Sequence, residues 1–484
     1  MNLLDRAVMA VAPASGLRRI RARRAASILA NYDAATGGRR SRSWRPTGTD
    51  ADAASRRRAR LAFVSRDMIR NTPLAGRGRD VIVNNTVGDG IIPSVDAPSE
   101  ATKARFLDLV ISHLDTTDID ANGLLNLYGL QRLALSTVVE SGECLVRLRR
   151  RRLSDGLSLP FQVQVLEPDY LDSSRDSMTT SGGARVFEGI EYDAIGRRVA
   201  YWLHDDHPGS AHGWRLPRSR RVPASEVIHL FRQDRPGQMR GVSWYAPVAL
   251  TLQDLRDYFD AQLMKQKIGA CFAAFRVEPD AVSDDVDSTM PTSLAPGAIF
   301  KLGPGEDVRF ASPPKMDDNS FVRDCVREVA MGLGITYESF FGDLSQVNYS
   351  SARMGRLEMD RNISSWQWLM LVPQMCDRIA DWMLEAWNVL EPMRDLRRAR
   401  ITWTPPARII VDPAREIPAM REKVRAGFAS WQAEVRSLGY DPETVAAEMA
   451  EDNIRFDTLG ITVTSDARQD TQPRSTRPED ADGE

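Results

Sequence analysis

Between Ser351 and Trp387 the chain keeps helical composition for nearly forty residues, SARMGRLEMDRNISSWQWLMLVPQMCDRIADWMLEAW. At 1.5 Å per residue such a helix reaches roughly 55 Å. Pro373 inside it removes one ladder hydrogen bond, which predicts a kink near Leu369. Trp366, Trp368, Met370, Ile379, Trp382, Leu384 and Trp387 fall on more than one face. That pattern calls for neighbours on several sides, and identical subunits are a natural source of them. Just upstream, FVRDCVREVAMGLGI places Phe321, Val322, Cys325, Val329 and Leu333 at helix spacing, and Gly332 and Gly334 stop it. The intervening TYESFFGDLSQVNYSS reads as a loop with almost no helical character. Gly342 and Asn348 are its turn formers, and Ser350 or Ser351 caps the long helix.

At 484 residues the chain is long enough for more than one domain. Its net charge of −2 hides an asymmetry, because residues 1–80 hold eighteen Arg, six Asp and no Lys. Such a start fits either a contact with nucleic acid or another anionic surface, or a solvated, partly disordered arm. The polar tail from Ser465 to Glu484 reads as disordered. Cys144, Cys271, Cys325 and Cys376 lie far apart with no CxxC pairing, as expected of buried thiols in a reducing compartment. No stretch approaches eighteen uncharged apolar residues, so no membrane span is expected. The opening MNLLDRAVMAVAP, with Asp5 and Arg6 inside its apolar run, is not expected to act as a signal peptide.

In chain order, basic helical patterns fill residues 18–70. Thr49 or Asp50 is placed to cap ADAASRRRARLAFVSRDMIR, with Ala59, Phe63 and Met68-Ile69 as its apolar positions. RDVIVNNTVGDGIIPSV mixes helix or strand with turns, and residues 99–115 and 120–140 look helical. From Gly142 the period changes to two: ECLVRLRRRR, LPFQVQVLEPDYLD, VFEGIEYDAIGRRVAYWLHDD and EVIHLF alternate as strands, with a hairpin turn at Asp193 to Gly196. Helix returns from Ser243 to Gly269, where Val248, Leu252, Leu255, Phe259 and Leu263 recur every three or four residues. Residues 275–315 hold the strand-like AIFKLG and DVRFAS between Pro and Gly, and ITWTPPARIIVDP is strand-like beyond the long helix. REKVRAGFASWQAEVRSLGYDPETVAAEMAEDNIRF gives two helices, the first ended by Gly439 and the second capped by Asp441 with Pro442 at its first position. The fold class is α+β.

Several of these stretches together resemble the portal proteins of lambda-like tailed bacteriophages over about residues 20–455. They are the basic start with VIVNNTVGDGI, ESGECLVRLR, VLEPDYLD, VIHLFRQDRPGQMRGVSWYAPV, FFGDLSQVNYSSARMG and SWQAEVRSLGYDPETVAAEMAEDN. The resemblance implies a flexible start over 1–20, a wing over 20–242, a stem helix over 243–270, a β-containing clip over 271–316 and a second stem helix over 317–335. A channel loop over 336–350, a long kinked helix over 351–390, a wing return strand over 391–414, crown helices over 415–460 and a disordered tail over 461–484 complete it. It further implies a ring-forming portal fold, usually of twelve identical subunits, at a capsid vertex of the virion, assembled in the host cytoplasm. Double-stranded DNA passes through the ring. The terminase large subunit, head-completion or adaptor proteins and the major capsid or scaffold protein are the expected partners, without a membrane.

A conduit must hold DNA loosely, since each phosphate neutralised by an Arg adds a salt-sensitive increment of affinity. Within the expected channel loop, Asp343, Leu344, Ser345, Gln346, Val347 and Asn348 include no base and one acid. Of six Lys, four (Lys265, Lys267, Lys301, Lys315) fall in the expected stem and clip. Lys265 and Lys267 either face the channel or pair with acids of the next subunit. The expected loop position itself has a rival, an outward surface loop that meets adaptor proteins. Val248, Leu252, Leu255, Phe259, Trp366 and Trp382 are expected to be buried between subunits.

Enzymatic alternatives find little support. HDDHPGSAHG gathers His204, His207 and His212 with Asp205 and Asp206, but in no metal-site spacing. No GxxxxGK[ST] or GxSxG occurs, and the acidic run with Asp284, Asp285 and Asp287 reads as solvated surface. No catalytic residue, metal or cofactor is expected. A DNA-processing enzyme with an unrecognised site remains the alternative, and a membrane-active Trp-rich helix is disfavoured by Asp377, Arg378, Asp381 and Glu385.

Overall fold

The computed structural model describes residues 12–15, 48–54, 57–97, 99–176, 185–210, 218–270, 275–277, 300–302, 319–345, 349–392, 398–406 and 412–461. The chain divides into two compact units, Met1–Arg56 and Arg57–Glu484. In the first, Asp50 starts a helical turn, Ala51–Ala54, by accepting from the Ala53 N–H at 2.7 Å. Most of the arginine-rich start lies outside the described residues.

In the second unit, Arg58–Asn71 (α1) and Pro73–Thr86 (α2) meet at Thr72, which is extended because Pro73 follows it. The buried set on α1 is Arg58, Ala62, Ser65 and Met68, and the apolar Phe63 is exposed. A strand Ile92–Asp96 (β1) leads to Glu100–Leu109 (α3), capped by the Ser99 hydroxyl and prolonged by a π-helical turn, Val110–Leu114. Leu127–Ser141 (α4) follows, and the expected start at residue 120 is corrected to Leu127. Asp120 instead accepts the N–H groups of Asn122, Leu124 and Leu125 and holds that stretch as a loop.

Two antiparallel sheets come next. Glu143–Arg150 (β2) is flanked by Phe161–Leu166 (β3) and by the later Val227–Phe231 (β8). Between them the chain builds a meander from Arg185–Phe187 (β4), Ile190–Tyr192 (β5), Arg198–His204 (β6) and Ser219–Pro223 (β7). The hairpin turn at Asp193 to Gly196 joins β5 and β6, with the Asp193 carboxylate accepting from Ile195 and Arg197. The strand expected to run through Asp172 stops at Leu166 as β3, and Pro168–Tyr170 turns as a short 3-10 helix. Leu145, Leu166, Ile190, Tyr201, Leu203 and Val222 form a small core between the sheets.

The helix expected from Ser243 begins at Ala249 and runs to Ala270 (α5). Trp244, Tyr245 and Val248 occupy the turns before it and are buried. The Tyr245 hydroxyl donates to the Ala75 carbonyl, and its N–H to the Ser243 hydroxyl. Phe275–Val277 (β9) and Phe300–Leu302 (β10) pair in parallel; the rest of 271–316 lies outside the described residues. Asn319–Leu333 (α6) and Tyr337–Phe341 (α7) precede the long helix. That helix begins at Tyr349 (α8, to Trp366), widens to a π-helix over Gln367–Cys376 and continues as Asp377–Leu390 (α9). Pro373 sits inside the π stretch, where the ladder closes over one more residue and the prolyl ring is accommodated. The stretch also turns two amides outward: Gln367 donates to the Thr86 carbonyl, and Gln374 accepts from the Phe231 N–H of β8.

Arg400–Thr404 (β11) returns to pair antiparallel with β1. Pro413–Arg425 (α10), Trp431–Ser437 (α11) and Pro442–Leu459 (α12) close the described chain; the last is capped by Asp441 as expected.

Two expectations about burial are corrected. Val248, Leu252, Leu255, Trp366 and Trp382 are buried within this one chain. The large core covers them with α1, α2, β8 and α6, and the Trp382 indole N–H donates to the Ser225 carbonyl at 2.9 Å. Their burial therefore needs no second subunit. Of the six, only Phe259 is exposed, at 44%. The long helix likewise finds neighbours in its own chain, and leaves Met354, Leu357, Trp368, Leu369 and Val389 in solvent.

Candidate channel loop and its supports

The segment joining α6 to α8 is fixed at its root before it is free at its tip. Gly334 ends α6 with φ +73, a conformation open to glycine. Its N–H donates to the Met331 carbonyl and that of Ile335 to the Ala330 carbonyl, closing the helix end. A Cβ at Gly334 would stand 3.3 Å from the Asn362 amide nitrogen and 3.4 Å from the Trp366 ring, so α8 crosses close over this turn. The Asn362 amide donates to the Gly334 carbonyl at 2.9 Å.

Next comes α7, where the sequence reading expected loop. Thr336 accepts the Ser339 N–H on its hydroxyl, Glu338 lies in the first turn and Gly342 (φ +78) ends the helix. Those are helix signals, packed into five residues and so easily passed over. Phe340 is the anchor, 1% exposed. It lies against Gly78 of α2, where a Cβ would come within 3.2 Å of its ring, 2.8 Å of Leu333 and 2.9 Å of the Tyr245 hydroxyl. Arg77 clamps the same helix by donating to the Ser339 carbonyl at 3.1 Å.

The tip follows. Asp343 accepts from the Ser345 N–H at 3.0 Å and from the Tyr337 hydroxyl at 3.2 Å. The hydrogen bonds from Ser345, helped by Tyr337, hold its carboxyl below the usual range, so the charge is retained. Leu344, 68% exposed, is the outermost large side chain here, with Phe341 beside it on Tyr337 (centroids 5.8 Å apart) and Arg327 over the Tyr337 ring. Gln346, Val347 and Asn348 lie outside the described residues. Lys265 is half-buried on α5 and Lys267 is exposed.

Two polar clusters escaped the sequence reading because their members are distant in the chain. Glu143 on β2 is buried with Arg240 and His229, beside the partly exposed Glu188. It takes the Arg240 guanidinium at 2.5–3.0 Å, the His229 ring at 2.9 Å and the Gly241 N–H at 2.8 Å. Arg240 and Arg58 also reach Glu188, whose φ of +43 turns it into the cluster. Burial by itself would raise the Glu143 pKa, but the Arg240 charge and the donated hydrogen bonds hold it far below the usual range. Burial lowers His229 to about 4 and outweighs the Glu143 charge, with Arg198 and Arg240 adding repulsion. The ring is therefore neutral beside a compensated carboxylate.

The second cluster joins Glu167, Asp169 and His207, with ligand-type atoms within 4.8 Å of one another. Arg66 already reaches Asp169 at 2.5 Å and Glu167 at 3.7 Å, and the Gly209 N–H donates to Nδ1 of His207. The arrangement is a charge-compensated contact between α1 and the sheet. His204, drawn with His207 from sequence, points elsewhere, 4.0 Å from Asp172. Among the described residues no helix is long and apolar enough to cross a membrane.

The probable portal protein of Halomonas phage phiHAP-1 is 27% identical over 366 residues, 71% of this chain and 68% of that protein. The portal protein of Escherichia phage N15 is 23% identical over 320 residues, and portal protein B of Escherichia phage lambda 21% over 324. Each of these two alignments takes in 56% of this chain and 59% of the relative. A chain from the neck of a native gene transfer agent particle superposes with a TM-score of 0.43 at 17% identity, over 82% of this chain and 96% of that one. The family profile of lambda-family phage portal proteins matches residues 37–367, from the basic start through α8, and the chain belongs to that family.

Proposed function

We propose that copies of this chain form a ring, twelve by the family's habit, at one capsid vertex, and that double-stranded DNA is packaged and ejected through it. The observation that carries this reading is the loop between α6 and α8. It has a rigid root at Gly334 and Phe340, and its tip exposes Leu344 with no base nearby in sequence. In a ring with these tips on the axis, they form a collar that touches DNA without gripping phosphate. Lys267, and Lys265 beside it, supply a diffuse positive belt on α5, since an ammonium does not bind phosphate bidentately. The terminase large subunit, head-completion proteins and the major capsid or scaffold protein are the partners such a ring requires. The arginine-rich start is the segment best suited to DNA or another anionic surface.

The test is Leu344→Cys in a Cys271→Ser, Cys325→Ser chain, leaving Cys144 and Cys376 buried. A bulky thiol reagent should leave the particle mass unchanged and block DNA packaging. Packaging at the normal rate with every subunit labelled overturns the collar, and a monomeric mass overturns the ring.

A further inference from the structure

The helices α10 to α12 differ from the rest of the chain in burying almost nothing. Only Pro442 is buried among them, whereas Ile417, Trp431, Met449, Ile454 and Leu459 are exposed, and Phe428 in the α10–α11 connection is 87% exposed. A contiguous segment with that much apolar surface marks a protein–protein contact. Charge says which protein. On α10, Arg415, Arg421, Lys423 and Arg425 stand against Glu416 and Glu422, four bases to two acids and a net +2. On α12, Glu443, Glu448, Glu451, Asp452 and Asp457 stand against Arg455, five acids to one base and a net −4.

Each helix also sets like charges one turn apart, Arg421 with Arg425 and Glu448 with Asp452. Such pairs are unfavourable within a helix until an opposite charge faces them. Within the chain that relief is not supplied across the two helices. On α10, Glu422 lies 3.8 Å from Arg421 and 3.5 Å from Arg425, one acid between two bases. Lys423 pairs with Glu434 of α11 and Glu443 of α12 with Lys103 of α3, and among the described residues no ion pair joins α10 to α12. The short α11 touches both neighbours.

We infer that α10 of one copy docks against α12 of a second copy, head to tail. The basic stripe Ile417–Arg421–Arg425 meets the acidic stripe Glu448–Asp452, and the exposed apolar side chains close around them. Two different surfaces are joined, so the contact is heterologous and continues from copy to copy, closing a ring where the rotation permits. This contact is one interface of the ring proposed above and rests on that reading, but the C-terminal helices lie outside the residues matched by the family profile. Opposed charges on such an interface set partner orientation and make assembly sensitive to salt.

The experiment uses two full-length variants, Arg421→Cys and Glu448→Cys, each in the Cys271→Ser, Cys325→Ser background, where the remaining Cys144 and Cys376 are buried. After mixing and mild oxidation, a disulfide-linked heterodimer should appear in the mixture and in neither variant alone. Homodimers of either variant in place of the heterodimer, or no cross-link in a sample whose mass shows a ring, overturn the inference and leave the ring standing. A monomeric mass removes both. In parallel, Arg421→Glu with Arg425→Glu should reduce the assembled fraction at low salt several-fold. Adding Glu448→Arg and Asp452→Arg to the same chain should restore it, and failure of that rescue in a folded protein also overturns the pairing.

Discussion

Asn362 reaches across from the middle of α8 to the carbonyl of Gly334, tying the end of one helix to the flank of another 28 residues away in sequence. The tie sets the take-off of the loop, because Gly334 cannot hold φ +73 cheaply with a side chain. Gly334→Ala should cost about 1–2 kcal/mol for the left-handed backbone alone. Asn362→Ala should cost about 1 kcal/mol for its hydrogen bond. Urea titration of both variants checks the order, and a neutral Gly334→Ala would show that the turn relaxes freely.

Phe340 and Leu344 lie four residues apart and should separate stability from function. Phe340→Ala removes a fully buried ring and should cost about 3–5 kcal/mol. Leu344→Ser, at an exposed tip, should stay within about 0.5 kcal/mol of the parent. If the tip lines a channel, the second substitution still alters DNA passage. Equal destabilisation by the two would contradict the division into root and tip.

The Glu143–Arg240 pair gives a test of compensation. Arg240→Met leaves a buried carboxylate with only the neutral His229 ring and the Gly241 N–H to face it, with no cation, and should cost about 3–5 kcal/mol. The double variant with Glu143→Gln should lose less than the two single losses combined, since neither charge is then stranded. Strict additivity in chemical denaturation would mean the two residues act independently.

Acid should weaken the folded chain in a defined window. Burial lowers both His113 and His229 to about 4 from 6.5, and in each case the folded state favours the neutral ring. As pH falls below about 6.5 the unfolded chain takes up these protons first, so stability drops until about pH 4 and then levels for these two groups. Denaturation midpoints at pH 7.5, 5.5 and 4.5 should decline in that order, with a shallower decline for His113→Gln and His229→Gln. A flat profile would mean that the rings are protonated in place.

Phe259 and Trp382, expected alike from sequence, now part ways. Phe259→Ser should leave folding nearly unchanged and loosen association if α5 faces a neighbour, read by light scattering. Trp382→Ala should cost about 3–5 kcal/mol of subunit stability, because its ring is in the core and its N–H holds Ser225. An intact fold for Trp382→Ala would return that residue to the interface.

Periodicity carried much of this fold. The run through Pro373, the stripe Leu252–Leu255 and the Asp193 turn all show their structure in spacing or turn chemistry. Whether a stripe is covered by its own chain or by another is a different question. Val248 and Phe259 share one spacing, yet the first is buried in the core and the second is exposed, and no local pattern encodes that distinction. The Glu143 cluster was invisible for a related reason: Arg58, Glu143, Glu188, His229 and Arg240 each read as an ordinary surface residue until the sheets assemble them.

The π stretch from Gln367 to Cys376 has a consequence for how this helix tolerates length change. Ile363 and Trp366 before it, and Ile379, Trp382 and Met383 after it, are all buried although a wider turn separates them. Each helical residue advances the azimuth by about 100°. Deleting one residue here would therefore act as a rotation more than as a shortening, swinging Trp382 and Trp387 out of the core while α8 kept its seat on Gly334. The segment works as an indexing joint, setting the angular phase of one half of the long helix against the other.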